Sequence, residues 1–107
     1  MVQYKVITVA QALGQLQRII EYIKENDSAG NAKIVYDGII EAIESLQTMP
    51  YRNSVYRTVK KKKHDYRYQP KWSFNIIYRI EDDPPLVYVV TIANAAQNPS
   101  KIEALLT

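Results

Sequence analysis

The sequence predicts an α+β domain in which a helical hairpin packs on a small, twisted, mainly antiparallel sheet. Three observations carry this reading. Two long stretches in the first half repeat apolar residues at helical spacing. Three stretches in the second half alternate, or stay apolar, over strand lengths. Between the last two of these, Asp82-Asp83-Pro84-Pro85 reads as a turn. With 107 residues and no internal repeat, linker or low-complexity segment, residues 1–107 read as one domain around one core.

The elements follow in order. Tyr4 to Val9 alternates and is rich in β-branched residues, the pattern of a short strand. Thr8 and Gln11 have capping-box spacing, in which the hydroxyl accepts a backbone N–H and the amide answers it. Leu13, Leu16, Ile20 and Ile23 then form the stripe of a first helix. Asn26, Asp27, Ser28 and Gly30 interrupt it, and Ala32, Val35, Ile39, Ala42, Ile43 and Leu46 mark a second. Each stripe spans roughly four to five turns. Pro50, which lacks an N–H and restricts the residue before it, is expected to end the second helix.

In the second half, Val55, Arg57 and Val59 alternate with Tyr56, Thr58 and Lys60, as in a strand, and Tyr66 to Pro70 is a further extended piece. Phe74, Ile76, Tyr78 and Ile80 share the apolar face of the next strand. Leu86 to Ile92 is almost continuously apolar and predicts a central strand buried on both faces. Asn98-Pro99 reads as an N-cap with proline at the first helical position, opening a short C-terminal helix with Ile102, Leu105 and Leu106. The predicted order is β-α-α-β-β-β with that final helix.

Composition narrows function. At 47% hydrophobic and 23% charged residues the chain has the balance of a globular protein. It offers no stretch of the roughly 20 apolar residues that a membrane span needs, and the polar start MVQYK is not that of a signal peptide. The absence of cysteine excludes disulfides, thiolate metal sites and cysteine nucleophiles, and fits a cytoplasmic chain. The lone His64 excludes a His-rich metal site, so no metal or cofactor is expected. Charge is unevenly distributed. Residues 1–51 set four cations against six acids, residues 52–79 set nine cations against Asp65 alone, and residues 80–107 set Lys101 against four acids. A strongly basic middle between acidic flanks suits a polyanionic partner, either nucleic acid or an acidic protein segment.

The basic stretch carries the chemistry that the residues alone suggest. Lys60, Lys61, Lys62 and Lys63 precede Tyr66 and Arg67, with Arg57 and Lys71 on either side. In an extended strand the lysines alternate between faces, so they converge on one phosphate only in a loop. Tyr56, Tyr66, Tyr68 and Trp72 interleave with them, which suits stacking on unpaired bases, whereas Phe74 and Tyr78 are better explained as core. The helix carboxylates Asp37, Glu41 and Glu44 read as a solvated face.

The chain as a whole resembles the RelE/ParE superfamily of toxins from bacterial type II toxin–antitoxin modules, the plasmid-stabilisation type. The resemblance runs through AIESLQTMPYRN at 42–53, YRY at 66–68, FNIIYRIEDD at 74–83, VYVVTI at 87–92 and QNPSKI at 97–102. It implies a toxin domain over residues 1–107 and a cognate antitoxin bound in a groove between the basic sheet and the helical hairpin. The implied assembly is a homodimer or a toxin–antitoxin hetero-oligomer. It also implies growth arrest by ribosome-dependent mRNA cleavage or, as in ParE-like members, by non-catalytic inhibition of DNA gyrase; a non-toxic, attenuated member is the third reading. For the ribonuclease, the residues that match are Arg67, Lys62 and Tyr66 as catalytic groups, with Arg57, Lys60, Lys61, Lys63 and Lys71 as nucleic-acid contacts. Two family arginines are replaced, one by Asn75 and one by Ala96 within the string Asn94-Ala95-Ala96-Gln97, leaving Asn94, Ala96 and Gln97 as a degenerate form of the family site.

Overall fold

The computed structural model describes residues 2–56 and 65–106. Strand β1 (Lys5–Thr8) leads into helices α1 (Ala10–Asn26) and α2 (Ala29–Glu44). Two short 3-10 turns, Ser45–Gln47 and Pro50–Arg52, precede strands β2 (Arg67–Lys71), β3 (Phe74–Asp82) and β4 (Pro85–Asn94) and helix α3 (Pro99–Leu106). The sheet order is β1-β4-β3-β2. Both β2–β3 and β3–β4 are antiparallel, and β1 pairs parallel with β4, because the α1–α2 hairpin carries the chain away before the other strands form. This is the α+β arrangement that the sequence predicts.

Three local expectations are corrected. No capping box forms at Thr8 and Gln11: Thr8 is paired within the sheet, the N-cap is Val9 without a side-chain cap, and Gln11 turns its amide to the sheet. The apolar stripe of α1 differs from the expected one at its start: Leu16 is buried and Ile20 packs on the core as expected, but Ala12 is buried in place of Leu13, which is 52% exposed. The helix approaches the sheet so closely that a methyl group fills the position next to β4. Helix α2 stops at Glu44, ahead of Pro50, because the chain tightens into the first 3-10 turn, where the Ser45 hydroxyl donates to Ala42 O at 2.6 Å. Pro50 instead opens the second turn. Of the strand expected over 55–60, Val55 makes one isolated bridge to Arg67, and residues 57–64 lie outside the described residues.

Other signals act as expected. Ser28 caps α2 by accepting from Asn31 N–H at 3.0 Å, and Asn98 caps α3 by accepting from Ser100 N–H at 2.9 Å. Ile39, Ala42, Ile43 and Leu46 bury one face of the hairpin against Ile76, Tyr78, Val87, Val89 and Ile92. A second, smaller core lies across the sheet, where Ile102 and Leu106 of α3 cover Tyr66, Ile77 and Ala93.

β4 serves both cores through a β-bulge. Ile77 pairs with Thr91 but Tyr78 pairs with Val89, so Val90 is an extra residue. Before it, Val87 and Val89 face the hairpin; after it, Ile92 does, and the fully buried Thr91 faces α3. Because β1 ends at Thr8, the strand edge beside the bulge lacks a neighbour, and two glutamines one helical turn apart replace it. Gln11 Nε2 donates to Val90 O at 2.9 Å and to Thr91 Oγ1 at 3.0 Å, while Gln15 Oε1 accepts from Ile92 N–H at 2.8 Å. Replacing Gln15 by Leu strands that N–H in a part-buried position. The expected cost is about 1–3 kcal/mol in urea unfolding, against less than about 0.5 kcal/mol for Gln17→Leu on the solvent side of the same helix.

The β2–β3 hairpin rests on α2. Its two-residue turn puts Trp72 in the left-handed region at φ 51, a conformation costing roughly 1–2 kcal/mol for a residue with a Cβ. The indole lies on Gly38: a Cβ there would sit 2.2 Å from Trp72 Cη2 and 2.6 Å from Cζ3. Gly38→Ala must therefore displace the ring. Since Trp72 is the sole tryptophan, its emission should shift to the red in Gly38→Ala, and an unchanged spectrum would contradict this packing.

Candidate functional site

Consecutive residues of an extended chain point to opposite faces, and Tyr66 and Arg67 do so here. Tyr66 belongs to the smaller core, where its hydroxyl donates to Leu106 O of α3 at 3.0 Å. Arg67 lies on the other side, where Nη1 donates to Asn53 O at 2.6 Å and Tyr51 O at 3.2 Å and the guanidinium carbon sits 5.2 Å from the Tyr51 ring centroid. Both side chains thus hold backbone carbonyls of neighbouring segments. The structure does not bring these two together at one open surface. Lys62 lies outside the described residues, as do Arg57, Lys60, Lys61 and Lys63.

Arg67 is part of a polar cluster that ties the second 3-10 turn to the sheet. The buried Tyr78 hydroxyl donates to Pro50 O at 2.5 Å and accepts from Asn53 Nδ2 at 3.0 Å. Burial pushes its phenol up, and the Asn53 bond opposes that shift. At the end of β3, the Asp82 carboxylate accepts from Tyr51 OH at 2.5 Å and from Tyr4 OH at 2.8 Å, joining the turn and the residue that precedes β1 to β3. Those two bonds hold Asp82 below its ordinary value, and the same carboxylate pushes Tyr51 up to about 12.

Among the described residues, the other cations and rings of the basic stretch pair locally. Lys71 Nζ sits 4.6 Å from the Trp72 ring centroid, and Arg79 lies 4.2 Å over Tyr88 while pairing with Glu81. Tyr56 and Tyr68 meet edge to face at 5.7 Å. Among the described residues no three His, Cys, Asp or Glu side chains are grouped to hold a metal, and no helix is long and apolar enough to cross a membrane.

A groove of about 560 Å³ opens between α1, the adjoining ends of β3 and β4, and α3. Ile19, Phe74 and Ile92 line it beside Gln15, Arg18 and Tyr22. Of the positions that the resemblance marks as a degenerate family site, Asn94 and Gln97 line this groove, while Ala96 is exposed and its N–H donates to Asn94 Oδ1 at 2.9 Å. Sequence reasoning passed over Arg18 and Tyr22. The available signal was the width of the apolar arc on α1: Ile19 and Tyr22 stand beside the stripe of Leu16, Ile20 and Ile23, more apolar surface than one contact consumes.

The Asp82 cluster makes a pH-dependent prediction. A carboxyl lowered in the folded state contributes stability that is present above its ordinary value of 3.8 and is lost as the pH falls through the lower, folded value. Asp82→Asn should therefore flatten the acid limb of the stability profile below about pH 4, measured by thermal unfolding across pH; an unchanged limb would contradict the assignment.

Comparisons with known proteins agree with this architecture. The chain matches the family model for the ParE toxin of the type II toxin–antitoxin system, parDE, over residues 6–99. No curated protein matches it. Among solved structures it is similar to a chain of the chromosomal ParDE TA system from P. aeruginosa, at 14% identity and a TM-score of 0.69, covering 88% of this chain and 98% of that one. At that identity the likeness speaks for the fold, and the family match for descent. The chain belongs to the ParE toxin family of type II toxin–antitoxin systems.

Proposed function

We propose that this toxin arrests growth by binding and inhibiting DNA gyrase, without cutting RNA, and that a cognate antitoxin silences it. The observation that carries the non-catalytic reading is the placement of Tyr66 and Arg67 on opposite sides of the chain, each holding backbone carbonyls. General acid–base chemistry at a phosphate needs its groups within hydrogen-bond reach of one reacting centre. Two further features support the reading: Ala96 cannot supply the fixed cation that stabilises developing phosphate charge, and the match to the family model is to ParE toxins. Inhibition by binding needs none of these groups. The antitoxin as partner rests on the same family membership.

The purified chain should block supercoiling by gyrase, and its induction should arrest growth without creating new mRNA 5′ ends in translated frames. Tyr66→Phe, which removes only a hydroxyl bound to Leu106 O, should keep full toxicity at a stability cost of about 1 kcal/mol. New in-frame 5′ ends that disappear in Tyr66→Phe or Lys62→Ala would overturn the proposal in favour of the ribonuclease. No arrest at all would identify an attenuated member.

A further inference from the structure

We infer that the outer face of the helical hairpin docks a second copy of this chain, each copy laying Tyr36 in a cleft of the other across a two-fold axis. The cleft, of about 430 Å³, runs between α1 and α2, and no residue of the sheet lines it. Leu13, Leu16, Ile20 and Ile40 form its apolar walls, with Tyr36 beside them.

Two large apolar groups stand in water here. Leu13 belongs to the stripe expected to meet the sheet, yet it is 52% exposed because Ala12 takes the inward position, and Tyr36 is 45% exposed. With the half-buried Ile20 and Ile40 they make one apolar strip along the hairpin.

The face is complementary to itself in shape. A protruding ring and a cleft lie side by side on it, so a two-fold related copy supplies a ring for each cleft and a cleft for each ring, as an isologous interface requires. The two helices run antiparallel and are joined at Asp27 and Ser28, which sets Tyr36 about level with Ile20. An axis passing near Ile20 carries each Tyr36 across to α1 of the other copy.

The face is also complementary to itself in charge. Glu21 and Lys24 are the charged residues lining the cleft, one of each sign. Neither Lys24 nor the Tyr36 hydroxyl has a partner among the described residues, and the Glu21 carboxylate accepts from Gln17 Nε2 alone, at 3.2 Å. Antiparallel packing about that axis brings Glu21 of one copy toward Tyr36 and Lys24 of the other, and the symmetry repeats the contact. A polyanion finds no excess of cations here, and a strongly charged segment of either sign meets one like charge.

Area sets the strength. The 17 residues of α1 give the face a length of about 25 Å, and two helices side by side give it a width of about 20 Å. About 500 Å² from each copy reaches the roughly 1,000 Å² in total at which a specific interface begins, so the dimer is expected in the micromolar range.

Sedimentation equilibrium of the intact chain alone, from low to high micromolar concentration, should show monomer and dimer in exchange. Tyr36→Arg should raise the dimer Kd at least about tenfold by setting a charge in the apolar cleft of the other copy, and Leu13→Arg should do the same. Glu21→Lys and Lys24→Glu should each weaken self-association, and an equal mixture of the two should regain it as a heterodimer. Tyr22→Arg, at a side chain 67% exposed beside the other groove of α1, should leave Kd unchanged. Circular dichroism and melting temperature identify any variant that has lost its fold. A chain that stays monomeric throughout overturns the proposal, as does a dimer indifferent to both Tyr36→Arg and Leu13→Arg. A dimer that Tyr22→Arg abolishes overturns it in favour of the other groove. Charge variants that fail to associate when mixed overturn the two-fold arrangement. Because the toxin is measured alone, none of these outcomes depends on its target or its antitoxin.

Discussion

The bulge at Val90 is the constraint on which the rest of the molecule depends. A strand of fixed alternation commits each residue to one side of the sheet, and β4 must serve two cores from one run of apolar residues. One extra residue reverses the phase partway along it. Val87, Val89 and Ile92 can then all face the hairpin while Val90 and Ala93 contribute to the core under α3. The kink leaves polar backbone groups without strand partners on the side that β1 has vacated. Gln11 and Gln15, spaced one helical turn apart, meet them, so the helix takes over the edge where the strand stops. Gln11 also reaches Leu105 O at 3.4 Å, which couples α1 and β4 to α3 through one amide.

That coupling shapes the groove. Gln15 lines it and at the same time fixes Ile92, one of its apolar walls, while Leu105 forms a rim from the helix that Gln11 touches. The bulge therefore sets the relative positions of α1, the end of the sheet and α3, and the space between them follows from those positions. At the opposite end, Asp82 with Tyr4 and Tyr51, and Arg67 and Tyr78 with the carbonyls of residues 50–53, perform the equivalent task for the 3-10 turns. Polar side chains, together with the buried Leu46 and Pro50, hold the irregular segments of this fold.

The elements were legible in the sequence wherever their periodicity was unbroken. α2, with buried Ala32, Ile39, Ala42 and Ile43, and β3, with its Ile76 and Tyr78 face, follow the expected patterns. The bulge was not legible: in VYVVTIAN both faces are apolar, so a change of phase leaves no mark in hydrophobicity. Ala12 was hidden for a related reason, because Leu13 beside it is the more hydrophobic residue and close approach of α1 to the sheet favours the smaller one. The capping box failed because Gln11 had a stronger claim elsewhere, from a strand edge that lies about eighty residues away in the chain. Local spacing carries no information about a partner that distant.

The same distinction governs the electrostatics. Formal charge placed the functional weight on residues 52–79, yet the cations described there are engaged nearby. Arg52 donates to Thr48 O and Ser45 Oγ, Arg67 holds two carbonyls, Lys71 covers Trp72, and Arg79 pairs with Glu81 over Tyr88. A charge satisfied within the fold has already exchanged water for fixed partners, and a further ligand gains less from meeting it. Arg18 has the opposite history. It sits in the first 51 residues, where acids outnumber bases, and so it contributes nothing to a count of local charge excess. Its guanidinium is exposed and has no partner among the described residues, so it keeps its water, unlike the engaged cations of residues 52–79. In a chain this small, recognition is better read from which charges lack partners than from where charges are most numerous.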